Sequence, residues 1–189
     1  MTGRESSLPI ARNRNPPMPD AAIAHSPLFT NLSPDECRIV SEMMTASCYE
    51  SGEAIITEGK ETSSLYLLSH GTCRVRKHMG NGADQDLDTL EAGAVFGEIS
   101  FFCPGPHSAT VVAETRATIL SLSREQFHEL QRERPTAALK ITLHATATLA
   151  RRLRRMDEWT CALVEKGTAP EKHTEWHEFR AQLYSNWNF

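Results

Sequence analysis

The sequence of 189 residues is poor in the features that mark several large classes of protein. Its five cysteines are odd in number and none is spaced as C-x-x-C, so neither a disulfide framework nor a zinc finger is predicted. Every apolar run falls short of the roughly 18 residues that a membrane span needs, and the N-terminus lacks the apolar core of a signal peptide. The formal net charge of −4 argues against nucleic-acid binding through bulk electrostatics. We therefore expect a cytoplasmic protein with reduced thiols, and neither a membrane nor DNA as a partner.

Residue groupings that carry catalysis or bind metals are also scarce. No Ser-His-Asp, Cys-His or paired-carboxylate arrangement stands out, so we do not expect an enzyme. His173 and His177 are four residues apart, which is a spacing that zinc ligands use on a helix. Without a third ligand, solvated surface histidines are the simpler interpretation, and we predict neither a metal site nor a cofactor.

The chain divides into four parts that differ in composition and in the periodicity of their apolar residues. Residues 1–24 carry a proline cluster and no amphipathic period, which predicts a disordered leader. In residues 25–134 short β-rich runs alternate with turn residues, which predicts an antiparallel β-barrel or jelly roll with flanking helices. Residues 135–166 are predicted to form one long helix, and residues 167–189 an aromatic amphipathic tail. The expected fold class is mainly β, with an N-terminal helix and a long C-terminal helix.

Two segments have the sequence pattern of a capping box, which marks the start of a helix. Ser33 is followed three residues later by Glu36, and Ser123 by Gln126. Each pair predicts the N-terminus of a helix that flanks the β-rich segment. In the long helix, apolar or small residues recur at intervals of three and four, from Leu139 to Leu163. Such a stripe packs either against the β domain or against a second copy of the same helix.

The segment GAVFGEISFFCPGPHSATV, residues 93–111, is the most informative part of the chain. Gly97 ends an apolar run and allows a backbone to approach a ligand closely. The residues after it can open a short helix, whose free N–H groups favour an anion. Glu98 supplies an acceptor suited to sugar hydroxyls. This combination of an anion-binding turn and a sugar-binding carboxylate suits a nucleotide.

The same segment resembles the phosphate-binding cassette of cyclic-nucleotide-binding domains, whose pattern is approximately F-G-E-(L/I)-(A/S)-L and then P-R-(A/S)-A-T-V. The positions that match without a gap are Phe96, Gly97, Glu98, Ile99, Ser100, Pro106, Ser108, Ala109, Thr110 and Val111. The resemblance extends over roughly residues 26–158. It implies the jelly-roll fold, cAMP or cGMP as the ligand, and a hydrogen bond from the ribose 2′-hydroxyl to Glu98. It also implies that the long helix contacts the base, with Arg155 and Met156 as the candidate residues.

One cassette position departs from the pattern. His107 stands where the family carries the arginine that pairs with the cyclic phosphate. Arginine is a charged, forked donor at every physiological pH, whereas histidine is charged only near or below its unperturbed pKa of about 6.5. Two outcomes stay open: weak nucleotide binding that depends on protonated His107, or a site that has drifted to another ligand or to none.

The resemblance also has implications for the oligomeric state and for the way in which such a domain would signal. Related bacterial regulators pair through the long helix, which favours a homodimer through residues 136–164. The sequence after Val164 is too short for a winged helix-turn-helix, so we do not expect DNA binding. Two functions remain: a cyclic-nucleotide sensor that signals through its C-terminal helix, or a ligand-free or altered-ligand scaffold for protein interactions. Residues 171–189 would serve as a lid or as a handle for a partner protein.

Overall fold

In the computed structural model of the chain, the structure describes residues 26–79 and 82–167, with side chains to residue 162. The chain divides into two compact units, one ending at Ala145 and the other beginning at Thr146. The predicted leader of residues 1–24 and the tail after residue 167 lie outside the described residues.

The first unit opens with a 3₁₀ turn, Pro27–Phe29, followed by helix α1, Pro34–Met43. The strands that follow are β1 Thr45–Tyr49, β2 Ala54–Ile56, β3 Ser64–His70, β4 Cys73–His78, β5 Asp84–Leu90, β6 Val95–Phe96, β7 Thr110–Ala113 and β8 Ala117–Ser123. The short helix α2, Glu98–Phe102, lies between β6 and β7. Helix α3, Arg124–Glu133, follows β8, and α4, Pro135–Gly167, runs from the first unit into the second.

The strands form two antiparallel four-stranded sheets, ordered β1-β8-β3-β6 and β2-β7-β4-β5. The prediction of a mainly β fold with flanking helices is confirmed, but a closed barrel is wrong, because the two sheets share no strand within the described residues. The edge strand of the first sheet is β6. It is two residues long and pairs with β3 through Phe96 and Val95, and the chain then turns into α2.

The central strand β3 is buried on both faces. Leu65 and Leu67 pack in a cluster with residues of the helices, whereas Tyr66 and Leu68 pack in a second cluster that joins residues of both sheets. Successive side chains of a strand point to opposite faces, so an uninterrupted apolar run serves both cores. This strand supplies the floor on which the segment after β6 rests.

Both predicted capping boxes are present. The Ser33 and Ser123 hydroxyls accept from the backbone N–H groups of Glu36 and Gln126, whose side chains accept from the cap residues' N–H groups. Helix α4 begins at Pro135, close to the predicted start, and buries Ile141 in the same cluster as α3.

All five cysteines lie within the described residues and are free thiols, as expected. Burial raises the pKa of Cys73 to about 11 and makes its thiol a poor nucleophile. Among the described helices, none combines the length and the apolar character needed to cross a bilayer.

Candidate functional site

The turn between β6 and α2 is built around Gly97. Its backbone adopts φ +79°, the left-handed region that favours glycine. A Cβ at this position would lie 2.7 Å from Cδ2 of Tyr66 and 3.1 Å from the Ser64 carbonyl oxygen. Phe96 stacks on the Tyr66 ring, with the ring centroids 5.3 Å apart. The turn is therefore pressed against β3, and glycine is required both for its backbone angle and for space.

Helix α2 buries one face and exposes the other. Glu98 and Ser100 are 3% and 4% exposed, whereas Ile99 is 51% exposed. Phe101 is buried and contacts the Phe127 ring of α3 edge-on at a centroid distance of 5.3 Å. The predicted ligand residues at 96–100 thus differ in access, because only Ile99 lies largely in solvent.

The far end of α2 is tied to the start of α3. The Arg124 guanidinium donates to the carbonyl oxygens of Ser100 at 3.0 Å and Phe101 at 2.8 Å. A cation at a helix C-terminus satisfies carbonyls that lack intrahelical partners and interacts favourably with the helix dipole. Any displacement of α2 must therefore either break these hydrogen bonds or move α3 as well.

His107 is turned into the protein. It is 5% exposed, and its Nε2 lies 2.6 Å from Oγ1 of Thr62 while its Nδ1 lies 2.9 Å from Oγ of Ser100. The Thr62 hydroxyl in turn lies 3.0 Å from the Tyr66 hydroxyl. Both ring nitrogens are thus held by hydroxyl groups, one on the buried Ser100 and the other on Thr62, which lies at the surface.

The backbone at His107 is held equally firmly. Its N–H donates to the Lys60 carbonyl at 2.9 Å, and its carbonyl accepts from the Gly59 N–H at 2.9 Å. Burial lowers the pKa of His107 below its ordinary value. This lowered pKa and the two hydroxyl contacts favour the neutral ring, and nucleotide binding that depends on protonated His107 stays a prediction.

The end of the cassette contacts β2 and β4. Ser108 is exposed and its carbonyl oxygen accepts a hydrogen bond from Nζ of Lys77 at 2.6 Å. Ala109 and Thr110 are half-buried, and Oγ1 of Thr110 accepts from the Glu58 N–H at 3.0 Å. Lys77 lies outside the cassette pattern and was not predicted as a site residue. The sequence feature that could have pointed to it is its place two residues after Val75, on the strand face that Cys73 and Val75 share.

Arg155 and Met156, the residues predicted to contact a base, belong to the second unit. Met156 is 63% exposed. The Arg155 guanidinium carbon lies 5.8 Å from the centroid of the Trp159 ring, a cation–π arrangement within the helix. The structure brings together residues 96–110, and a role for Arg155 and Met156 stays a prediction.

A cleft of about 480 Å³ is lined by Glu58, Arg76, His78, Asp84, Thr110 and Val112. Arg76 pairs with Thr110 in register, on the face of the second sheet opposite Cys73 and Val75. Its lining mixes both signs of charge, and Thr110 is the one predicted site residue among those named. Within the described residues, no group of three or more His, Cys, Asp or Glu side chains is arranged to hold a metal ion.

Comparison with known proteins matches the part of the chain that contains this site to a family. Residues 47–134 match the Cyclic nucleotide-binding domain. The Cyclic AMP receptor protein of Thermus thermophilus is 36% identical over 133 residues, which cover 70% of this chain and 59% of that protein. The cAMP-dependent protein kinase regulatory subunit of Yarrowia lipolytica is 30% identical over 113 residues, which cover 60% of this chain and 29% of that protein. The chain thus spans well under two thirds of the length of either relative.

The fold agrees with that match. The crystal structure of the Thermus thermophilus Catabolite Activator Protein superposes with a TM-score of 0.66 at 29% identity, over 77% of this chain and 74% of that one. The family match over residues 47–134 includes every residue of the cassette. Residues 47–134 therefore form a cyclic nucleotide-binding domain, with homologues among the cyclic AMP receptor proteins and the regulatory subunits of cAMP-dependent protein kinase.

Proposed function

We propose that this domain binds a cyclic mononucleotide at residues 96–110 and that occupancy is transmitted through α4. The observation that carries the proposal is the buried Glu98, which follows directly on the left-handed Gly97. A buried acceptor at the head of α2, beside a turn without a side chain, suits a sugar hydroxyl. Because two relatives are named for cAMP, we propose cAMP ahead of cGMP.

The ribose role of Glu98 is tested by pairing a protein change with a ligand change. Calorimetry with cAMP and 2′-deoxy-cAMP should show the wild type preferring cAMP by about ten- to a hundredfold, since a hydrogen bond to a charged group contributes roughly 1.5–3 kcal/mol. Glu98→Gln should lose most of that preference. Glu91→Gln removes the same charge from an exposed site and should keep it. A wild type that binds neither cAMP nor cGMP would overturn the proposed function.

Transmission to α4 is supported by a chain of contacts within the first unit. Arg124 of α3 holds the carbonyls of α2, and Phe127 contacts Phe101. Arg134 alone separates α3 from α4, whose residue Ile141 is buried in the same cluster. A ligand that shifts α2 would act on α4 provided that it binds the two helix positions with different affinities.

We further propose a homodimer through residues 136–164. Leu139 and Leu143 are one helical turn apart and are 58% and 59% exposed. Exposed leucines at this spacing provide the apolar stripe that a second helix covers. Light scattering on the full chain, with and without cAMP, measures the oligomeric state. A monomer over the whole concentration range would contradict this part of the proposal.

A scaffold without nucleotide is the second candidate, and the inward His107 favours it. The cassette arginine of the family resemblance is replaced by a buried ring that is satisfied by Thr62 and Ser100. A thermal-shift series with cAMP, cGMP and cyclic dinucleotides separates the candidates, because a ligand specific for the folded state raises its stability. The absence of any shift would favour the scaffold. Residues 171–189, which lie outside the described residues, are proposed to bind its protein partner in the cytoplasm.

A further inference from the structure

The proposed function leaves the charge of the phosphate without a cationic partner on the cassette itself. His107 is buried, and its two ring nitrogens are held by hydroxyl groups. Arg124 donates to the carbonyls at the end of α2. A cyclic phosphate bound at the cassette therefore needs its positive charge from another element.

Lys77 of β4 lies at the required place. Cys73 and Val75 both pack in the core that joins the two sheets, and Lys77 continues the alternation of this face. Its Nζ lies 2.6 Å from the carbonyl oxygen of Ser108, the residue that directly follows His107. The ammonium thus reaches the part of the cassette where the family resemblance expects an arginine.

Glu58 holds this ammonium in position. Its Oε1 lies 3.0 Å from Nζ of Lys77, and its Oε2 accepts from the His78 N–H at 2.8 Å. Its own N–H donates to Oγ1 of Thr110 on the other side. The hydrogen bond from the His78 amide, followed by that from Lys77, lowers the pKa of Glu58 and keeps it ionised at neutral pH. The ammonium of Lys77 is thereby held between Glu58, which follows β2, and the Ser108 carbonyl, while 42% of the side chain is exposed.

We propose that Lys77 supplies the positive charge for the phosphate of a cyclic nucleotide at this site, in place of the missing cassette arginine. An ammonium has three N–H donors. Glu58 and the Ser108 carbonyl take two of them, which leaves the third for a phosphate oxygen. This inference rests on the proposed nucleotide site, and it adds a residue from β4 that the cassette pattern does not contain.

Calorimetric titration of the full chain with cAMP tests the assignment. Lys77→Met should weaken binding by about ten- to a hundredfold, because one charge-assisted hydrogen bond is lost. Lys77→Arg should bind within a few-fold of the wild type. The salt dependence of the dissociation constant should also be weaker in Lys77→Met, since screening acts on the charge that has been removed.

Arg76→Met is the matched control. Arg76 precedes Lys77 on the same strand, points to the opposite face and donates to Asp86. This control removes the same charge and should leave cAMP affinity unchanged, and urea unfolding checks that each variant is folded. If Lys77→Met binds as the wild type does, or if Arg76→Met weakens binding equally, the Lys77 assignment is overturned while the nucleotide site stands. If the wild type binds neither cAMP nor cGMP, the site and the assignment fall together.

Discussion

Replacing His107 by arginine should separate the stability of the domain from its affinity for cAMP. In the wild type the imidazole bonds to Thr62 at 2.6 Å and to Ser100 at 2.9 Å, inside a site where Ser100 is only 4% exposed. Each such hydrogen bond contributes about 0.5–1.5 kcal/mol. Losing both should lower the free energy of unfolding by about 1–3 kcal/mol, measured by urea denaturation with linear extrapolation.

The same change should strengthen cAMP binding. A guanidinium that turns away from Thr62 and Ser100 toward the phosphate offers a charged fork at every physiological pH. One charge-assisted hydrogen bond corresponds to a gain of roughly ten- to a hundredfold in affinity. Calorimetry in the same buffer as the urea series measures the gain directly. His107→Gln is the control, because an amide retains hydroxyl partners without adding a charge, and it should change affinity little.

Either measurement can refute this reasoning. An arginine variant as stable as the wild type would show that the contacts to Thr62 and Ser100 contribute nothing net. A destabilised variant without any gain in affinity would show that the rest of the cassette does not accept a phosphate. The combination of lower stability and tighter binding is the outcome that the geometry predicts.

Two further predictions concern pH and the cassette turn. Burial lowers the pKa of His107, so on acidification the unfolded chain takes up a proton that the folded protein excludes. The contribution of neutral His107 to the free energy of unfolding is therefore complete above about pH 6.5, the pKa in the unfolded chain, and is lost as pH falls through the folded pKa. The free energy of unfolding should therefore fall more steeply between about pH 7 and 5 in the wild type than in His107→Gln, and parallel curves would contradict this. Gly97→Ala should destabilise the domain by more than Gly52→Ala, since both have positive φ, which costs about 1–2 kcal/mol, but only the first places a Cβ 2.7 Å from Tyr66 whereas the second meets nothing within 4 Å. Equal urea midpoints for the two variants would contradict the steric part.

Much of the fold could be predicted because its signals are local. The capping boxes at Ser33 and Ser123 join residues three apart, so a short window of sequence contains both partners. The two-residue strand β6 is too short to show a period, and whether the sheets close depends on edges that no local pattern describes.

In the cassette, the features that local sequence predicts are also distinct from those that the fold sets. The family match, the turn at Gly97 and the carboxylate at position 98 could all be predicted, because they follow from residue types in unbroken order. The inward orientation of His107 could not be predicted, since it depends on the folded chain bringing in Thr62 from 45 positions away; the fold fixed this contact. It also decided that Lys77 meets the cassette, through a contact that spans 31 positions. Hydrogen bonds over such separations form only when packed strands bring their partners together, and side-chain orientation is set by that packing rather than by neighbouring residues.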